Sequence, residues 1–552
     1  MQWLRDNMFS LNNYRGFKMS DTKNNQKQIF HWADQVVEKI IREKGDKDTY
    51  TVASGITPSG VVHFGNFREV ITTDLVARAL MQKGKKVRFI YSWDDYDTFR
   101  KVPLNMPKQE ELKELLYQPI VDVPDPFDEY SSYAEHNEKL FEKDLPKVGI
   151  DYVEFIYQNK KYRAGDYNEN IIHIMDNKDK IREIIQQFRS SELEKDWAPI
   201  LTYCEKCNRD RISITGYDKD AKTITYKCEL CGFEGKEDLK TSRRLKLPWR
   251  IDWPMRWVYE SVDFEPGGRD HSSAGGSRDT ASIIIKQIFD KDAPVYTAYD
   301  NIRIKGFNGK ISSSTGNVLT LKEILDVYEP EMVRWIFASY RPTATIDWAF
   351  DLDVLKNYED FDRLERTVYG LENVKEEKRA NAIRIYELSQ LNVDGKIPTE
   401  MPFQPSFRHL CNILQINDFD IAKARKYYEA DIKNERDERR FNERAERAVF
   451  WIQNHAPEEF KFIINKEKRN DVELSDNEKD FISALKMELT NNWDMYQTDK
   501  DLQNKIGSLV SEFGLTPEIY KKLYQLLISR DLGPKLAGFI RSIGKDKILK
   551  LL

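Results

Sequence analysis

Between residues 25 and 44, apolar side chains return every third or fourth position: Ile29, Ala33, Val36, Val37, Ile40 and Ile41. That period predicts a helix. Tyr50-Thr51-Val52-Ala53-Ser54 predicts a strand ending at Gly55, followed by a loop containing Gly55, Pro58 and Gly60. From Asn66 to Gln82 the helical period returns in Phe67, Val70, Ile71, Leu75, Ala79 and Leu80, with Gly84 as the stop. Val87-Arg88-Phe89-Ile90-Tyr91 predicts the next strand. Strand, glycine loop, helix and strand in this order make a βαβ unit. Its loop lies at the carboxyl end of a parallel strand, where such sheets bind ligands.

Residues 101–145 read as an insertion, with a proline- and acid-rich stretch over 101–130 that holds no steady period. Helix and strand patterns resume over 131–200, including Asp151-Tyr152-Val153-Glu154-Phe155-Ile156. Ile283-Ile284-Ile285 falls in a predicted helix, and Pro294-Val295-Tyr296-Thr297-Ala298-Tyr299 in a predicted strand. Beyond about residue 350 long charged amphipathic stretches take over. Ile519, Leu523, Leu526 and Leu527, then Leu536, Phe539, Ile540 and Ile543, keep the helical period, so 360–552 reads as an all-α domain. No internal repeat is visible.

At 552 residues the chain exceeds what one core usually organises, and three or four domains are expected. A charged fraction of 32% with a net charge of only −5 gives no global pull on nucleic acid, so such contacts must come from local patches. No apolar run is long enough to predict a membrane span, and the N-terminus lacks the apolar core of a secretory signal. Residues 1–24 read as a polar tail in which Met19 is an alternative start to Met1.

Four of the five cysteines form two C-x-x-C pairs, Cys204/Cys207 and Cys228/Cys231, separated by 20 residues. Two such knuckles close one tetrahedral Zn²⁺ site of four thiolates, which is structural because no coordination position stays open. The module is expected over about 200–235. Lys206, Arg209, Arg211 and Lys227 around it are either RNA phosphate contacts or solvated surface charges. Cys411 lies in an apolar, helix-like run and is expected as a buried small hydrophobe.

Two separated loops carry candidate phosphate chemistry. The first is Pro58-Ser59-Gly60-Val61-Val62-His63-Phe64-Gly65-Asn66. A helix start offers unpaired N–H groups to phosphate, Gly65 permits close approach, and His63 and Asn66 are donors. The second is Lys310-Ile311-Ser312-Ser313-Ser314, one cation with three hydroxyls between flanking glycines, suited to closing on a triphosphate. Each loop alone is also an ordinary turn.

The pair resembles the HIGH and KMSKS motifs of class I aminoacyl-tRNA synthetases. The flanks, Gly55-Ile56-Thr57-Pro58-Ser59-Gly60, Trp93-Asp94-Asp95-Tyr96-Asp97, Pro248 to Trp257, Gly268-Arg269-Asp270-His271 and Leu532 to Leu536, resemble the lysyl branch of that class. Asn66 stands for the second histidine of HIGH and Ser313 for the second lysine of KMSKS, so Lys310 is the principal cation of its loop.

The resemblance implies an α/β fold. Its parts are a Rossmann-like catalytic domain over 25–305 interrupted by the insertion and the zinc ribbon, a connecting segment over 306–359, and an α-helical anticodon-binding domain over 360–552. It implies ATP-dependent attachment of L-lysine to tRNA(Lys) through lysyl-adenylate, with Mg²⁺ accompanying ATP, in a cytoplasmic monomer. His63, Asn66 and Lys310 are the implied catalytic residues. Pro58, Ser59, Gly60, Gly65, Ser312, Ser313 and Ser314 complete the ATP site. Gly55, Thr57, Trp249 and His271 are the implied lysine contacts. A lysine side chain also needs an anion, which Asp94, Asp95 and Asp97 after a strand end and Asp270 after a glycine pair offer, and Trp249, Trp253 and Trp257 are candidates to wall its stem. The four-residue spacing of Trp249, Trp253 and Trp257 also fits a packed helix face, against which Pro254 argues. Some relatives carry a second metal site where this chain has Asp125 to His136; Glu129 and Tyr130 stand at its ligand positions, and no second metal is expected. In the last third, Arg436, Arg439, Arg440, Arg444 and Arg447 are offset by neighbouring acids, so a solvated, salt-laced helix is expected. Tyr427, Phe441 and Trp451 are candidates for stacking on bases. Two alternatives remain: a glutamyl-type class I synthetase, and a non-catalytic RNA-binding paralogue.

Overall fold

The computed structural model describes residues 31–104, 106–194, 197–305 and 319–552. The tail 1–24, with Met1 and Met19, and the loop residues Lys310, Ser312, Ser313 and Ser314 lie outside the described residues.

Helix α1 (Trp32–Lys44) precedes strand β1 (Thr49–Ile56), helix α2 (Phe64–Gln82) and strand β2 (Lys86–Trp93). Helix α3 (Tyr133–Glu142), strand β3 (Val153–Tyr157) and helix α4 (Gln158–Ala164) follow the insertion. The ribbon comprises β4 (Leu201–Thr202), β5 (Ile212–Asp218), β6 (Thr223–Cys228), β7 (Glu234–Asp238) and β8 (Leu245–Lys246). Helix α5 (Trp249–Tyr259), strand β9 (Phe264–Gly268), helix α6 (Arg269–Ser272), helix α7 (Ser277–Phe289), strand β10 (Val295–Tyr299) and strand β11 (Ile302–Ile304) come next.

The main sheet has the order β10-β9-β1-β2-β3, and every pair in it is parallel. Side chains alternate along the strands as a sheet buried on both faces requires. Val52, Phe89 and Tyr91 join a core with α2, while Ala53, Ile90 and Ile156 pack against Trp253 and Trp257 of α5 and Ala281 and Ile285 of α7. The chain order reverses between β1 and β9, so the crevice at their carboxyl ends is the topological switch point.

Two expectations change in detail. The ribbon does not end near 235: β7 runs to Asp238, and β4 pairs antiparallel with β8 to close its base at Lys246. Helix α5 runs unbroken through Pro254. The proline removes one N–H from the ladder, but its cost is offset by the burial of Trp253, Met255 and Trp257 and by the Asp252–Arg256 ion pair (2.7 Å), which spans it.

After β11 come α8 (Leu321–Leu325), α9 (Pro330–Ser339), β12 (Ile346–Trp348), α10 (Asp353–Val368) and α11 (Glu376–Ser389). Helix α10 crosses residues 359 and 360. From there on the described elements are helices, among them α12 (Phe407–Ile416), α13 (Glu435–Asn454) and α14 (Lys545–Leu551). One apolar core runs from α1 to Leu552, and Cys411 is buried in it.

Helix α13 is salt-laced as expected, but two of its arginines, Arg440 and Arg444, are not on a solvated face. Arg444 is fully buried and pairs with Glu329 (2.6 Å) and Asp362 (3.0 Å); Arg440 pairs with Glu329 (3.0 Å) and Glu365 (3.1 Å). The periodicity that suggests a surface stripe instead points these two inward, toward carboxylates donated by α10 and the start of α9. Phe441 and Trp451 are fully buried, which removes them as stacking platforms, whereas Tyr427 is exposed.

Candidate active site at the switch point

The carboxyl ends of β1 and β9 deliver Gly55 to Thr57 on one side and Gly268 to His271 on the other. Between them lies a cavity of about 400 Å³ lined by Gly55, Thr57, Ser59, Gly60, Asn66, Asp94, Asp97, Trp249, His271 and Tyr299, with Glu69 at its wall. Adjoining it is an inner chamber of about 80 Å³ bounded by Ser54, Ser92, Trp253, Arg256, Trp257 and Glu265. Gly55, Glu69, Asp94, Trp249 and His271 face both spaces. A side chain at Gly55 is excluded, because its Cβ would stand 2.6 Å from the Ser92 carbonyl oxygen.

The first loop folds as its composition requires. His63 is the N-cap of α2, and its backbone N–H donates to Asn66 Oδ1 (3.2 Å). A Cβ at Gly65 would lie 2.8 Å from the His63 ring, so glycine lets the imidazole fold back over the first turn. The N–H of Phe64 donates to the carbonyl of Leu319 (2.6 Å). At the other end of the undescribed segment, β11 pairs with β12, whose Trp348 meets the Phe64 ring edge-on at 4.8 Å. Both stems of the segment carrying Lys310 are therefore anchored at the start of α2.

The sequence-derived residues separate by position. Trp249 and Trp253 stack at 5.1 Å, and Trp253 meets Trp257 at 4.7 Å. His271 lies 5.7 Å from Trp253, centroid to centroid. Asp94 lines the site, but its carboxylate is engaged by Arg256 (2.5 Å). Asp270 is exposed on α6 and lines neither space.

Several lining residues carry no motif that marks them in the sequence. Glu69, one turn into α2, accepts from the Gly55 N–H (3.0 Å) and the Tyr299 hydroxyl (2.6 Å). Burial pushes its carboxyl up to about 8. Arg256, Ser92, Gln158 and Glu265 form the chamber's polar wall: Gln158 donates to Ser92 Oγ (2.6 Å), Arg256 donates to the same oxygen (3.0 Å), and Trp257 donates to Glu265. Ser54 Oγ is buried with no hydrogen-bond partner among the described residues. The available signal is the i,i+3 spacing of Glu69 from Asn66, which makes the two neighbours on the helix surface.

The lining carboxyls differ in what neutralises them. Asp94 has Arg256, Glu260 has Arg88 (2.8 Å) and Asp97 has Lys246. Glu265 takes an indole N–H, with Arg278 stacked over Trp257 at 4.8 Å. Glu69 has neutral donors only among the described residues.

In the ribbon, the four thiol sulfurs lie within 4.8 Å of one another, with Cys204–Cys231 and Cys207–Cys228 both 3.6 Å apart. Tetrahedral Zn–S bonds of about 2.3 Å require sulfurs about 3.8 Å apart, so the donor set fits the ion. Each knuckle turns through a left-handed residue after its second cysteine, Asn208 (φ 55°) and Gly232 (φ 71°). Nearby, Arg209 donates to the carbonyls of Leu116 and Glu114, Arg211 sits over the Tyr117 ring, and Lys227 pairs with Glu234. At Asp125 the carboxylate already accepts from the N–H groups of Phe127, Glu129 and Tyr130 and contacts His136 (3.2 Å).

A five-stranded parallel sheet with a glycine loop and a helix start at its switch point is a Rossmann-like α/β core. The family model described as tRNA synthetases class I (K) matches residues 30–392. The lysine–tRNA ligase of Borreliella burgdorferi is 48% identical over 94% of this chain and 98% of its own length. Those of Treponema pallidum (43%; 95% and 98%) and Pyrococcus horikoshii (39%; 95% and 99%) match over the same extent. The chain belongs to the class I (K) family of tRNA synthetases.

Proposed function

We propose that this protein joins L-lysine to the 3′ end of tRNA(Lys) in two steps, through lysyl-adenylate made from ATP, with Mg²⁺ accompanying the nucleotide. The observation that carries the reading is Glu69, a buried carboxyl with no cation paired to it among the described residues, beside a chamber walled by Trp249, Trp253 and Trp257. A long aliphatic stem ending in an ammonium matches that lining. Gly55, Thr57 and His271 then surround the α-carbon end, within the outer cavity where the nucleotide sits.

No covalent nucleophile is needed; positioning and charge stabilisation do the work. His63 and Asn66, with the N–H groups of the α2 start, hold phosphate oxygens. Lys310, with Ser312, Ser313 and Ser314, closes on the departing pyrophosphate; the anchoring of both stems at Phe64 supports this. Zinc, when bound by Cys204, Cys207, Cys228 and Cys231, supplies a rigid cross-link. Residues 360–552 are assigned to the anticodon arm. The same reading takes the protein as a monomer acting in the cytoplasm, where tRNA and ATP meet; among the described residues no helix is long and apolar enough to cross a membrane.

Charging of tRNA with each amino acid in turn tests the reading. Lysine alone is expected to be transferred; transfer of glutamate instead points to the glutamyl alternative, and no transfer to an RNA-binding paralogue. Lys310→Ala is expected to cut the rate of adenylate formation at least ~100-fold.

A further inference from the structure

Thr57, Asp97 and Lys246 come from three separate stretches and meet at the edge of the outer cavity. Lys246, at the strand that closes the ribbon's base, is only 8% exposed. Its ammonium donates to one carboxylate oxygen of Asp97 and to the Tyr96 carbonyl (3.2 Å). The other carboxylate oxygen accepts the Thr57 hydroxyl (2.8 Å). Burial opposes the Asp97 charge, but the Lys246 cation outweighs it and holds the carboxyl below the ordinary range.

A threonine hydroxyl has one proton and two acceptor lone pairs. With the proton committed to an anion, the oxygen can only accept. We propose that Lys246 is a positioning residue: by fixing Asp97 it makes Thr57 Oγ1 an acceptor-only group, which selects the α-ammonium of the bound amino acid rather than its carboxylate. This rests on the amino-acid site proposed above and names the end of the substrate that the hydroxyl meets. A carboxylate at the same point would face two acceptors, Thr57 Oγ1 and Asp97, and be repelled. The α-carboxylate is thereby turned away from Thr57 and toward the nucleotide side of the cavity, where Asn66 and the α2 start lie. The polarity of the site is set from the ribbon's base, by a residue that does not itself line the cavity shared by Thr57 and Asn66.

The test is equilibrium binding to the full-length protein of two ligands, lysine and 6-aminohexanoate, which is lysine without its α-amino group. Thr57→Val and Lys246→Met are each expected to weaken lysine about tenfold or more, the worth of a hydrogen bond to a charged group. Both are expected to leave 6-aminohexanoate unchanged, and Lys246→Arg is expected to restore lysine binding. Lys246→Gln, which keeps a donor for the Tyr96 carbonyl, reads the same link if the methionine variant does not fold. Equal weakening of both ligands, or of neither, overturns the proposal. A wild-type protein that binds no lysine overturns the amino-acid site itself, a distinguishable result.

Discussion

Glu69 concentrates the chemistry of the site in one carboxyl. Burial raises it to about 8, so in the empty site it is largely protonated at pH 7. A bound ammonium favours the ionised form, and binding then releases a proton. Lysine affinity is expected to rise with pH from 6 toward 8, approaching tenfold per unit, and to flatten above. Titration calorimetry in buffers of different ionisation enthalpy reads the released proton. In Glu69→Gln the slope should vanish and the affinity fall by about 100-fold; a pH-independent wild-type affinity would exclude Glu69 as the ammonium partner. Sequence alone nominated Asp94 instead, because a carboxylate after a strand end looks available. Only the fold shows that Arg256 already occupies it.

At the scale of elements, the ribbon and helix α13 make opposite demands. The ribbon's own apolar cluster is small, built around Tyr226 with the cysteines and a few partly buried neighbours, so its order is expected to depend on the metal. Chelation, or Cys207→Ser, should raise amide exchange and proteolysis over 200–246 while α1 and α2 keep their protection. Helix α13 is held by charge. Glu329 loses solvation on burial, yet Arg440 and Arg444 overcome this and lower its carboxyl from 4.5 to about 2. A depressed carboxyl stabilises fully above its unfolded pKa, and the contribution disappears as pH falls from about 4.5 to 2. The shift corresponds to about 3 kcal/mol. Acid unfolding should therefore steepen in that window and lose this component in Glu329→Gln. Arg444→Ala, which strands the buried Asp362 carboxylate and leaves Glu329 with Arg440 alone, should cost about 3–5 kcal/mol in a denaturant titration.

For the whole molecule, the consequential contact joins α13 to the site. Arg444 holds Glu329, which caps α9; α8 and α9 follow directly from Leu319, whose carbonyl holds the Phe64 N–H at the start of α2. The helical third and the catalytic core share one apolar core, so they are expected to unfold together. Coincident loss of near-ultraviolet signal from both parts on heating checks this; two separated transitions would contradict it.

Local pattern determined much of this protein. The βαβ unit, the glycine loop before α2, the paired cysteine knuckles and the helical last third follow from residue period and turn chemistry, which act over a few positions and are written in order along the chain. The tertiary structure decided what depends on convergence. It turned Arg440 and Arg444 inward, carried a helix through Pro254, buried Phe441 and Trp451, and gave Glu69 no cation among the described residues while pairing Asp94, Asp97 and Glu260. A side chain's charge is legible in sequence; the partner that neutralises it arrives from 75 to more than 150 residues away, and that pairing sets which groups remain for a ligand.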